Sequence, residues 1–153
     1  MRHIRLKLIV FLLTLPGFLN IALAQDVMMV RSSLRFPEAM AALQNSVIAH
    51  KYTLSRIQRV DIGLTRAGYK TDRYRIVFFG KQPELEKITD RHPQMAAFLP
   101  LKLVIFAEGD ETIIVALNPL HYRQVVDDHD MNILYQRWAN DIRSIMDDVS
   151  HAE

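Results

Sequence analysis

The sequence predicts an α+β domain: a five-stranded, largely antiparallel sheet with helices on one face, followed by a C-terminal helix. Three observations carry this. Short runs rich in β-branched and aromatic residues alternate with stretches whose apolar residues recur at helical spacing. Two of the runs, Leu101 to Glu108 and Glu111 to Leu117, flank Gly109-Asp110 and form a clear hairpin pattern. The order strand, helix, strand, strand, helix, strand, strand, helix favours hairpins and mixed connections over repeated parallel crossovers.

The elements follow in order. Asp26 to Ser32, around Val27-Met28-Met29-Val30, reads as a first strand. Phe36-Pro37 opens a helix, with Pro in the first turn and Glu38 near the positive helix end. Phe36, Met40, Leu43 and Val47 share one face, and the helix should end near His50-Lys51. Tyr52 to Leu64 reads as one long strand, with Tyr52, Leu54, Val60, Ile62 and Leu64 on one parity. Arg56 and Gln58 share that parity. Either a β-bulge near Ser55–Ile57 restores the phase, or the two polar side chains enter a cleft. Thr65 to Asp72 reads as a connection and Arg73 to Phe79 as a third strand.

A second helix follows the turn Gly80-Lys81-Gln82-Pro83, with Leu85 and Ile88 as its buried side, and His92-Pro93 ends or bends it. Met95 to Leu99 is a short helical piece stopped by Pro100. Asn118-Pro119 closes the hairpin. The last helix starts at Asp128–Asp130, whose carboxylates cap free N–H groups. Met131, Tyr135, Trp138, Ile142, Ile145 and Val149 form a regular apolar stripe. That stripe packs either on its own domain or on a second copy, in which case Met131, Tyr135, Trp138, Ile142 and Ile145 form a dimer interface. Asp147-Asp148 at the negative helix end predict fraying there.

Residues 1–24 follow a different logic. Arg2, Arg5 and Lys7 precede the apolar run Leu8–Leu15, and Ala22-Leu23-Ala24 supplies small residues before Gln25. This is a secretory signal peptide pattern, and the unbroken apolar run is short of the roughly 20 residues a spanning helix needs. The division is therefore a signal peptide at 1–24, an α+β domain at 25–126, and an amphipathic helix and tail at 127–153. The expected location is periplasmic or secreted, with no stable membrane anchor after cleavage. Segment 1–24 holds three of the 19 basic residues and none of the 17 acidic ones, so the remainder has 16 against 17. The basic balance is largely the export signal, which argues against a nucleic-acid partner.

Without cysteine there is no disulfide, thiolate metal site or c-type haem attachment. No serine-nucleophile motif, phosphate-cradling glycine loop or His-Glu-x-x-His occurs. The pattern calls for no cofactor, no metal and no catalytic residue. His121, Asp127, Asp128, His129 and Asp130 cluster in sequence, but acidic residues before a helix are usually caps. Charge is polarised. Residues 31–75 hold nine basic and three acidic residues, and residues 127–153 hold seven acidic and two basic. The acidic final helix can therefore dock on the basic region of its own chain or of a second one.

An ordered set of short motifs resembles a family catalogued as domain of unknown function 302. The set runs from Phe36, through Val60-Asp61, Phe79-Gly80 with Pro83, His92-Pro93 and Leu99-Pro100-Leu101-Lys102, to Asn118-Pro119-Leu120. The resemblance implies a small α+β domain of the TATA-binding-protein-like kind, often a dimer, and supplies no established activity. Many members carry Asp-His where this chain has Asp61-Ile62.

The expected function is an exported binding or accessory module for a small anionic ligand or a protein partner. The alternatives are a homodimeric assembly module through the final helix, or an enzyme using Asp61 with His92 or His121. The expected ligand-binding residues are Arg56, Gln58, Asp61, Arg75 and His92. A guanidinium there suits a carboxylate or other oxyanion.

Overall fold

The structure, a computed structural model, describes residues 26–70 and 72–152. The expected signal peptide lies outside the described residues. The elements are β1 (Val27–Ser32), α1 (Phe36–Ala49), β2 (Thr53–Arg59), α2 (Val60–Arg66), β3 (Tyr74–Gly80), α3 (Gln82–Arg91), β4 (Leu101–Glu108), β5 (Glu111–Leu117) and α4 (His129–Ser150). Short 3₁₀ segments at Pro93–Ala97 and Pro119–Gln124 start at prolines, whose fixed φ suits a helical first position.

The five strands form one sheet in the order β1-β5-β4-β3-β2, and every neighbouring pair is antiparallel. The pleat sends alternate residues to opposite faces. Met28, Ala116, Leu103 and Val77 are register partners along one row, and Ile114 and Ile105 along the next. All six are buried. On them lie α1, through Ala39, Leu43 and Val47, and α4, through Tyr135, Trp138, Ile142, Ile145 and Val149. One core thus sits between the sheet and two long helices.

The last helix belongs to that core. Trp138, Tyr135, Ile145 and Val149 have no exposed surface, and Met131 and Ile142 are also buried. The expected interface of Met131, Tyr135, Trp138, Ile142 and Ile145 is corrected accordingly. The stripe closes the chain's own sheet beside α1: α4 packs on β1 and on α1, while α1 covers β4 and β5. Two carboxylates of the acidic final helix are held within the chain by hydroxyls, and among the described residues none of the Lys or Arg side chains of 31–75 pairs with residues 127–153. The Tyr52 hydroxyl donates to Asp141 at 2.5 Å, and the Ser46 hydroxyl donates to Asp148 at 2.6 Å. Burial, followed by the Asp141 carboxylate, pushes the Tyr52 phenol well above its ordinary range.

Two further expectations change. Helix α4 does not fray at Asp147-Asp148 but continues to Ser150. Val149 is buried, and its carbonyl accepts from the Ser32 hydroxyl at 2.9 Å, so the terminal turn is held from outside the helix. The strand expected over Tyr52–Leu64 ends at Arg59 and turns directly into α2. Val60, Ile62 and Leu64 are spaced by two, but Val60 and Leu64 are also four apart, so seven residues fit either period. The sheet decides, because β3 starts at Tyr74 and its Arg75 pairs with Arg59, leaving no strand for residues 60–66 to pair with.

The expected bulge is present. The β2–β3 register shifts between Leu54 and Arg56, which leaves Ser55 as the extra residue. Leu54 and Ile57 then fall on the helix side with their partners Phe79 and Val77. Arg56 and Gln58 fall on the opposite, open face.

Candidate functional site

The bulge separates the expected ligand-binding residues. Arg56 and Gln58 are exposed on the open face of the sheet. Arg75 and Asp61 come together on the helix side, as an ion pair in which both side chains are largely buried. His92 follows α3 and faces Asp128 at the start of α4. The five residues therefore do not form one cleft.

The Asp61–Arg75 pair has a structural origin. Arg59 and Arg75 are cross-strand partners, and like charges in that position repel. Asp61 enters two residues later, in the first turn of α2, where the helix end favours a carboxylate. The Arg75 guanidinium, with Arg59 nearby, holds the Asp61 carboxyl below the usual carboxylate range. Arg75 also lies 5.6 Å from the centroid of the Phe36 ring, tying β3 to the start of α1. Asp61 is thus a paired carboxylate. Among the described residues no hydrogen bond or ion pair joins it to His92 or to His121, which sits 2.5 Å from Asp26.

His92 does line a cavity. Helices α3 and α4 run past one another, and the groove between them encloses about 430 Å³. Glu84, Lys87, Ile88 and Arg91 are spaced i, i+3, i+4, i+7 along α3. Asp130, Ile133, Leu134 and Arg137 repeat the pattern along α4, one stripe facing the other.

Polar clamps close both ends of the groove. At one end Glu84 bridges the helices, pairing with Arg137 and accepting from the Trp138 indole at 3.1 Å. At the other end Arg91 lies 3.8 Å from Asp130, and His92 Nε2 lies 3.2 Å from Asp128 Oδ2. The second contact fails hydrogen-bond geometry, and His92 Nε2 is a buried polar atom without a hydrogen-bond partner among the described residues. Asp128 spends its other oxygen on the N-cap of α4, accepting from the Met131 amide at 2.9 Å.

Between the clamps the floor is apolar, from Ile88, Met131 and Leu134, with Ile133 exposed on the rim. Lys87 stands over this floor without an ion pair among the described residues. The arrangement offers the Lys87 ammonium group to an anion, and a hydrocarbon surface to whatever the anion is attached to. Of these residues the sequence indicates only His92 as ligand-binding. The signal for the rest is the mixed stripe from Glu84 to Arg91. Its facing stripe on α4 is distant in sequence.

The model of the family described as domain of unknown function DUF302 matches residues 28–149. The chain belongs to the DUF302 family. Among solved structures, it superposes on an uncharacterized conserved DUF302 protein from Bacillus stearothermophilus with a TM-score of 0.74. The two are 18% identical, and the superposition covers 82% of this chain and 99% of the other. At that identity the likeness concerns the fold, and it agrees with the five-stranded sheet and its added final helix. No curated protein matches the chain. The DUF302 match includes α4, so the final helix is part of the family's domain, in keeping with its place in the core.

Proposed function

We propose that this DUF302 protein is an exported binding or accessory module that takes a small anionic ligand with an apolar body in the α3–α4 groove. The observation that carries the reading is Lys87, an ammonium without an ion pair above an apolar floor, between two clamps that use up the neighbouring charges. The cavity falls in the size range of small-molecule sites, roughly 300–1,000 Å³. The signal-peptide pattern of residues 1–24 supports export. No helix among the described residues is long and apolar enough to cross a membrane.

The test is thermal unfolding of the purified protein against graded carboxylates, from acetate to hexanoate and benzoate, with matched amines as controls. A ligand at a hundredfold excess over its Kd stabilises by about 2.7 kcal/mol. The expected result is a rise in Tm that grows with the apolar body of the acid, is absent with the amines, and is lost in Lys87→Glu. An unchanged Tm across the series removes the reading.

A further inference from the structure

The face of the sheet away from α1 and α4 is apolar. The register places Gln58, Ile76, Val104, Val115 and Met29 in one row across all five strands. Four of these five side chains are hydrophobic, and Met29 is 63% exposed. The rows on either side add Phe78 and Leu117, and Tyr74 packed edge-on against Phe106. An antiparallel sheet with one wet face normally alternates apolar inside with polar outside. Here both faces are apolar, yet among the described residues both long helices lie on the other side. At the margin, Leu85 of α3 reaches over Gly80, where an added Cβ would collide with it.

We infer that this open face is the contact surface for a second copy of the chain, stacked sheet on sheet about a two-fold axis along the Val104–Val115 row. Charge on the face selects this occupant. At one end of the strands are Lys102 and Arg56, both exposed and without an ion pair among the described residues. At the other end Glu108 and Glu111 share the single Arg31, at 2.5 and 2.8 Å, leaving an acidic excess. A two-fold axis along the central row reverses the strand direction of the second copy. It lays the cationic end of each sheet over the acidic end of the other and the apolar row over itself, an isologous contact.

The size is also sufficient. Five strands about 4.8 Å apart and about 25 Å long present roughly 600 Å² in projection. A pair then covers about 1,200 Å², the lower bound for a specific interface. This dimer differs from one built through α4, whose apolar stripe is already buried in its own core.

The test uses the oligomeric state of the purified protein by light scattering and sedimentation. The wild-type chain is expected to be a dimer that loosens as salt screens the end charges. Val104→Glu, an exposed-face change at the centre of the row, is expected to be a monomer with unchanged circular dichroism. A second variant keeps the inference falsifiable if that one misfolds. The chain has no cysteine, so Val104→Cys places one thiol per copy near the axis, with sheets about 10 Å apart. A short bismaleimide should couple it efficiently, and should not couple Ile48→Cys, which is exposed on α1. A monomeric wild type, a dimer that survives Val104→Glu, or coupling of Ile48→Cys but not Val104→Cys would each overturn the inference.

Discussion

Glu84 is the point where α3 is fastened to the core, and replacing it separates two contributions of different size. Its carboxylate accepts from the indole of Trp138, a side chain with no exposed surface, and pairs with Arg137, which is partly exposed. In Glu84→Gln the amide oxygen still accepts from Trp138 Nε1, and only charge is lost. A partly exposed ion pair and a first-turn carboxylate contribute about 0.3–1 kcal/mol each, so the expected cost is about 1 kcal/mol. In Glu84→Ala the buried indole N–H also loses its acceptor, which adds about 1–3 kcal/mol, for a total near 3 kcal/mol. For a domain of this size 1 kcal/mol corresponds to roughly 3–5 °C in Tm. Urea unfolding at neutral pH, followed by circular dichroism, measures both variants with unchanged slope. A Trp138→Phe background is the internal control, because the extra cost of alanine over glutamine should vanish there. Equal costs for Glu84→Ala and Glu84→Gln in the wild-type background would refute the role given to the indole hydrogen bond.

Three further outcomes are expected. Deleting Ser55 removes the residue that the bulge leaves unpaired and keeps Leu54 and Arg56 opposite Phe79 and Phe78, so urea unfolding should show a loss of at most about 1 kcal/mol; a loss above about 3 kcal/mol would mean that the bulge itself is required. Asp128→Ala removes the N-cap of α4 and should cost about 0.5–2 kcal/mol, with Asp128→Asn recovering most of it in the same measurement. Stability should fall at both pH extremes for separable reasons. The depressed Asp61 carboxyl contributes above the ordinary carboxylate range and is lost as pH falls through its folded value, whereas the raised Tyr52 phenol contributes fully below the ordinary phenol pKa of 10.0 and is lost as pH rises beyond it. Asp61→Asn should flatten the acid limb of the stability profile and Tyr52→Phe the alkaline limb, and a variant that flattens neither limb contradicts that assignment.

The sequence by itself determines the elements whose period is long or whose ends are marked. Leu101–Leu117 reads as a hairpin because two apolar runs flank a short turn that can host Gly109 at positive φ, and the structure has it there. The last helix is equally plain, because a stripe from Met131 to Val149 repeats over five turns and Asp128 marks its start. Short segments are different. Residues 60–66 satisfy a strand and a helix alike, and only the length of β3 sends them into α2. The same holds for the face of Arg56 and Gln58, which depends on a one-residue bulge whose effect is to invert every side chain beyond it.

Tertiary structure alone decides what touches what. The apolar stripe of α4 has the same pattern whether it meets its own sheet or another chain, and the inner face of β1 together with α1 claims it. The groove joins stripes centred some fifty residues apart, Lys87 on one and Leu134 on the other, which no local period can pair. Periodicity reports which side of an element is apolar, because that follows from backbone geometry. It carries no record of the partner, because the hydrophobic effect is non-directional and any complementary surface will serve.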